Sequence, residues 1–239
     1  MNKEYREYLA VEWNDFMADE IRQNIVIENT ADQKVEKVLD IGCGAGQEML
    51  PLVTQKGSFG VGMDISPDSG AVARQFYAER NLGEKVTFVQ ANGEILPFAD
   101  ASFEVVICRG ALPYVDFRQA IPEIARVLQP KGKCFLKMHS PLFYYWMIKK
   151  RMPSFFDLTF KKQSPIEGIK QLAYPVICFA CGTLNHLTGK HPRGGIWDGK
   201  EVYQTRKSMN RVLAMNNMKI VSETADTNIY APAFLIVKQ

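Results

Sequence analysis

The chain has 239 residues, 46% of them apolar and 23% charged, with a formal net charge of +3. That is room for one α/β domain with an elaboration, or at most two small domains, and the mild charge gives no support to a dedicated nucleic-acid surface. No apolar run approaches the roughly 20 residues that span a bilayer, and five cysteines at irregular spacing do not make a secreted disulfide framework. Mixed charges at Met1-Asn2-Lys3-Glu4-Tyr5-Arg6 contain no apolar signal core, so a cytoplasmic protein with reduced thiols is expected.

Residues 1–34 are expected to form one or two helices, with Tyr8, Trp13 and Phe16 near one another. A short apolar strand then starts near Val35 and takes in Val38 and Leu39. It runs into Asp40-Ile41-Gly42-Cys43-Gly44-Ala45-Gly46, and a helix-like pattern follows with Gln47, Met49 and Leu50. Strand, glycine turn and helix start make a nucleotide-binding corner, because glycine takes positive φ and lets a ligand approach without meeting a Cβ. A helix N-terminus behind the turn adds free N–H groups. The dinucleotide fingerprint G-x-G-x-x-G/A would put Gly or Ala at 47, where this chain has Gln.

The spacing Asp40-x-Gly42-x-Gly44-x-Gly46 resembles the first motif of the class I S-adenosylmethionine-dependent methyltransferases. The resemblance implies S-adenosylmethionine as cofactor, with Gly42, Cys43, Gly44 and Gly46 against its methionine part and Asp40 organising the turn. It also implies a doubly wound, Rossmann-like α/β sheet of seven mostly parallel strands with an antiparallel last strand.

Lys56-Gly57-Ser58 reads as a turn, and the second strand, Phe59 to Met63, ends at Asp64. A carboxylate there, about 20 residues past a glycine corner, suits two ribose hydroxyls. The bland alternative is that Asp64 caps the helix expected over Pro67 to Leu82. The resemblance puts Ile65 on an adenine face. Val86 to Val89 reads as a third strand, followed by Asn92 and Gly93. The segment Gly93 to Glu104, with Leu96-Pro97-Phe98 inside it, resembles the family's linker between strands three and four. The family usually carries Asp where this chain has Asn92, which keeps an acceptor oxygen but no charge. A turn-forming Asn-Gly pair explains the same two residues.

Phe103 to Cys108 is the fourth strand, and Arg109 at its carboxyl end is a candidate wall of the cofactor pocket. Ala111-Leu112-Pro113-Tyr114 lacks the leading amide or carboxylate and first proline of the amino-methylating motif, so that match is rejected. Ala120 to Leu128 is an amphipathic helix, closed by Gln129-Pro130-Lys131-Gly132-Lys133 before a fifth strand, Cys134 to Lys137.

Residues 139–200 interrupt the pattern. His139 is the one histidine near a sheet carboxyl end and is the candidate catalytic base, since imidazole titrates near neutral pH; a solvated loop histidine is the alternative. The aromatic run Phe143-Tyr144-Tyr145-Trp146, followed by Lys149, Lys150 and Arg151, fits a lid over a small-molecule pocket better than a membrane contact. Cys178-x2-Cys181-x4-His186-x4-His191 resembles a zinc knuckle, but its apolar flanks suggest one helix on which four ligands cannot converge, so no metal is assigned.

Ser208 to Met215 reads as a helix, and Lys219 to Ser222 and Ala233 to Val237 as the last strands. The whole is expected to be one domain: an N-terminal cap (1–34), a cofactor core (35–138), a lid insertion (139–200) and a closing helix and strands (201–239). The resemblance implies an N-terminal cap that closes over the cofactor, and methyl transfer to a small, partly apolar acceptor. No nucleic-acid partner is expected, and the sequence is silent on oligomeric state. The competing readings are a nicotinamide-dependent oxidoreductase, opposed by Gln47, and a non-catalytic or RNA-associated cofactor binder.

Overall fold

The computed structural model describes residues 3–156, 165–197 and 199–239. Two helices lead, α1 (Lys3–Ala18) and α2 (Glu20–Glu28). Asp19 separates them, its side chain accepting the Arg22 N–H and so capping α2. The strands are β1 (Lys37–Ile41), β2 (Phe59–Asp64), β3 (Val86–Gln90), β4 (Phe103–Cys108), β5 (Leu128–Lys137), β6 (Met218–Glu223) and β7 (Ala233–Lys238). Between the first five lie α3 (Leu50–Gln55), α4 (Pro67–Ala78) and α5 (Phe117–Val127). After β5 come α6 (Pro141–Phe156), α7 (Pro165–Thr188) and α8 (Arg206–Met215).

The strands form one sheet in the order β3-β2-β1-β4-β5-β7-β6. β1 to β5 pair in parallel, and β7 lies antiparallel between β5 and β6. This is the sheet that the resemblance implies. Side chains of successive strand residues face opposite sides. In β4, Val106 and Cys108 join a core with Phe117 and Ile121 of α5 and Leu213 of α8. Val105 and Ile107 join the opposite core, with Trp13 of α1, Ile25 of α2, Leu52 of α3 and Val72 of α4. Each such fully buried side chain contributes about 1.5–3 kcal/mol. Both faces are therefore covered, which is why these strands read as near-continuous apolar runs.

Several boundaries differ from the sequence reading, and three of them have a clear local cause. β5 starts at Leu128, not Cys134: Leu128 pairs with Phe103, the register shifts, and Lys133 pairs with Val105, with Lys131 at φ 65 between them. The expected turn is thus absorbed as a bulge inside the strand. α4 ends at Ala78, and Asn81 takes φ 57 in the turn that follows. α8 starts two residues early because Thr205 and Ser208 form a reciprocal capping box.

The insertion packs as a pair, α6 on α7. It is fastened at Glu201, whose carboxylate accepts from Tyr114, Tyr144 and Tyr174 hydroxyls at 2.9 Å each and meets His139 Nδ1 at 2.6 Å. Cys178 and Cys181 are buried on α7, whereas His186 on the same helix is exposed, so the knuckle ligands point apart. Among the described residues no group of His, Cys, Asp or Glu is placed to hold a metal ion, and no helix is long and apolar enough to cross a membrane.

Candidate active site

The chain order of the sheet reverses beside β1, with β2 on one side and β4 on the other, so loops leaving β1 and β4 diverge and open a crevice. The glycine turn leaves β1 there. Gly42, Gly44 and Gly46 have φ of 68, 53 and 81°, in the left-handed region. At Gly42 a Cβ would stand 2.2 Å from that of Ala111, so the loop after β4 crowds the turn. The N–H groups of Gly42 and Cys43 both donate to the Met63 carbonyl, at 2.7 and 3.0 Å. The turn is thereby tied to the end of β2.

Asp64 completes that tie. Its Oδ2 accepts the Gly44 N–H at 3.0 Å and its Oδ1 the Ser66 N–H at 2.9 Å. Capping of α4 falls to Ser66, which accepts from Asp68, so Asp64 is not the helix cap. Each oxygen retains a further lone-pair site, and Asp64 lines the crevice.

The crevice is a cavity of about 720 Å³. Asp40, Gly42, Cys43, Gly44, Asp64 and Ile65 line it, and so do Asn92, Gly93 and Arg109. Ile65 is 71% exposed, an apolar side chain at the lip. Asn92 keeps its turn role as well, its Oδ1 accepting the Glu94 N–H at 3.0 Å. Gly46 does not reach the cavity. It sits behind the turn, where a Cβ would press on Met49, Tyr77 and Phe88 at 3.2 Å and where its carbonyl accepts the Tyr77 hydroxyl. Its role is to turn the chain, a correction to its assignment as a cofactor contact.

His139 is corrected likewise. It is absent from the cavity lining; Nδ1 meets Glu201 and the ring stacks on Phe143 at 3.9 Å. The histidine that does line the cavity is His191, its Nδ1 at 3.0 Å from the Pro192 carbonyl. It comes from the segment after α7, which also contributes Arg193, Trp197 and Lys200. Arg193 pairs with Glu94 beside Gly93, holding that segment against the β3 loop. From the N-terminal helices, Tyr8, Glu12 and Arg22 line the cavity, while Trp13 and Phe16 are core.

Sequence reasoning missed the charge network at the cavity floor. Arg22 Nε and Nη2 both reach Glu48 Oε1 at 2.6 Å, and Arg109 Nε lies 3.1 Å from Glu48 Oε2. Arg109 also pairs with Asp226, which Lys137 contacts at 2.7 Å. Arg109 is therefore not a solvated arginine; its side chain is 2% exposed. Partners separated by 26 to 117 positions leave no local pattern to find.

Some buried polar atoms on this floor have no partner: Asp40 Oδ2, Gln47 Oε1 and Arg109 Nη1. Burial, then the nearby negative charges of Glu48 and Asp64, push the Asp40 carboxyl well above the usual range. A cation beside Asp40 and Gln47 and an anion beside Arg109 would satisfy all three. An amino-acid zwitterion has that charge pair, so these residues fit the methionine end of S-adenosylmethionine.

Residues 39–136 match a family model described as a methyltransferase domain. The protein named uncharacterized methyltransferase YcgJ, from Bacillus subtilis strain 168, is 39% identical over 115 residues, covering 46% of this chain and 44% of its own. The O-methyltransferase rstn1 of Aspergillus nomiae is 33% identical over 107 residues, covering 44% of this chain and 48% of its own. The chain thus spans less than half the length of these curated relatives. The solved structure of YcgJ shares the fold, with a TM-score of 0.58 at 20% identity over 91% of this chain and 98% of that one. Residues 39–136 are a class I S-adenosylmethionine-dependent methyltransferase domain, set between N-terminal helices and an insertion that lie outside the family match.

Proposed function

We propose that the whole chain transfers a methyl group from S-adenosylmethionine to a small, partly apolar molecule bound under the 139–200 insertion. One observation carries this reading: a single cavity is lined both by the glycine turn and Asp64 and by Tyr114, Trp197 and Lys200. Cofactor and acceptor residues thus face the same space, as direct transfer requires. When bound, the cofactor supplies a methyl group already activated by its sulfonium, so the protein needs alignment more than strong acid or base.

The residues divide the work by chemistry. Asp40, Gln47 and Arg109 hold the amino-acid end through their unpartnered atoms. Asp64 accepts from the ribose hydroxyls, and Ile65 and Asn92 flank the base. Tyr8 and Arg22 from the N-terminal helices, with the segment that bears His191 and Trp197, exclude water from the reacting centre. Relatives named for a sterol and for tocopherol as methyl acceptors support a small, partly apolar acceptor.

The test is calorimetry with S-adenosylhomocysteine on Asp64→Asn. Asn keeps the size but replaces one accepting oxygen by a donor, so the affinity is expected to fall about tenfold or more, the loss of one to two hydrogen bonds to a charged group. Unchanged affinity in this variant would remove Asp64 from the ribose site.

A further inference from the structure

The Glu201 cluster does more than fasten the insertion. Glu201 is buried, and its two oxygens receive four partners: Tyr114 and Tyr174 on Oε1, Tyr144 and His139 Nδ1 on Oε2. A carboxylate has about four lone-pair sites, so Glu201 is saturated and offers nothing to a ligand. Tyr114 differs from its companions: it lines the cavity and is 50% exposed, whereas Tyr144 is fully buried.

The protonation states are locked in opposite senses. Burial alone would raise the Glu201 carboxyl, but the bond and field of His139, with the Tyr144 and Tyr174 hydroxyls, hold it below the usual range. Burial, then the negative charge of Glu201, pushes the Tyr114 phenol up. Glu201 therefore stays an acceptor and Tyr114 stays a neutral phenol at neutral pH. The one hydrogen of Tyr114 is committed to Glu201. The Tyr174 hydroxyl also bonds this phenol, so the Tyr114 oxygen keeps one lone-pair site for a donor from the cavity that the residue lines.

We propose that Tyr114, with its hydroxyl hydrogen turned away by Glu201, is the specificity residue of the acceptor side and selects a methyl acceptor that donates an O–H or N–H to it. Glu201 is a positioning residue, acting through Tyr114, and His139 acts one step further back by orienting Glu201. This places the sequence-predicted histidine behind the wall of the site instead of in it. The proposal deepens the methyl-transfer reading and rests on it: an acceptor with a hydroxyl or amine is retained, while an ether, thioether or plain alkene leaves the remaining Tyr114 lone pair unmet.

The test uses the full chain saturated with S-adenosylhomocysteine, titrated by calorimetry with phenol and with anisole, which keeps ring and oxygen but has no proton to donate. Phenol is expected to bind about tenfold tighter than anisole, the worth of one well-made bond with its desolvation. In Tyr114→Phe the two should come within about twofold. In Glu201→Gln the amide donates to Tyr114, freeing the phenol hydrogen to point at the cavity, so the preference should narrow or reverse, an outcome a purely structural anchor would not produce. Equal binding of the two probes to the unaltered chain, binding of neither, or an unchanged preference in Tyr114→Phe overturns the proposal. Should Glu201→Gln fail to fold, Tyr114→Phe decides alone. Failure of the unaltered chain to bind S-adenosylhomocysteine appears before any probe is added, and strikes the methyl-transfer reading instead.

Discussion

Gly42 shows how tightly single residues set this site. Its φ of 68° and the 2.2 Å approach that a Cβ would make to Ala111 act together. Gly42→Ala is expected to destabilise the chain by about 2–4 kcal/mol, from left-handed strain and overpacking, measured by denaturant unfolding. An unaffected midpoint would show that the two loops can part at little cost. Gly46 carries a similar conformation without touching the cavity, so its replacement should lower stability more than ligand affinity once folded protein is compared. The glycine motif was legible in sequence because its residues are consecutive, and Asp64 because strand and turn fix its distance from them. Glu48, Arg109 and Asp226 were not legible as a set, since only folding brings them together. His139 was misread for the same reason: its partner Glu201 lies 62 positions away.

At the scale of elements, the strands were visible as apolar runs because α1 to α4 cover one face and α5 and α8 the other. β5 was read short because Pro130 and Gly132 look like punctuation, and a bulge can absorb them only when β4 is alongside. The α6–α7 pair is governed by Glu201. A carboxyl whose folded pKa is lowered contributes stability above its unfolded value, and that contribution disappears as pH falls through the lowered folded value. The insertion is therefore expected to loosen in acid, below about pH 4, the unfolded value of a glutamate, before the sheet itself unfolds. Hydrogen exchange along α6 and α7 across pH 3–7, taken as a series of about one-unit steps, would show it. Glu201→Gln should remove this acid dependence and cost about 2–4 kcal/mol at neutral pH, because three hydroxyls and a histidine lose their charged partner. Protection of α6 and α7 that is independent of pH would contradict the anchoring role.

Over the whole molecule, the N-terminal helices, the methyltransferase domain and the insertion contribute to one cavity, so ligand binding should be felt as global stability. At about 100 times its dissociation constant, S-adenosylhomocysteine is expected to add about 2.7 kcal/mol, raising Tm by roughly 5–10 °C for a chain of this size. The central claim is that this cavity takes an S-adenosyl cofactor through the Asp40–Gly46 turn and Asp64. Its most direct test is calorimetry of the unaltered full chain with S-adenosylhomocysteine and, separately, with NAD. Saturable binding of one S-adenosylhomocysteine per chain, with no heat from NAD, is expected; binding of NAD without S-adenosylhomocysteine would contradict it.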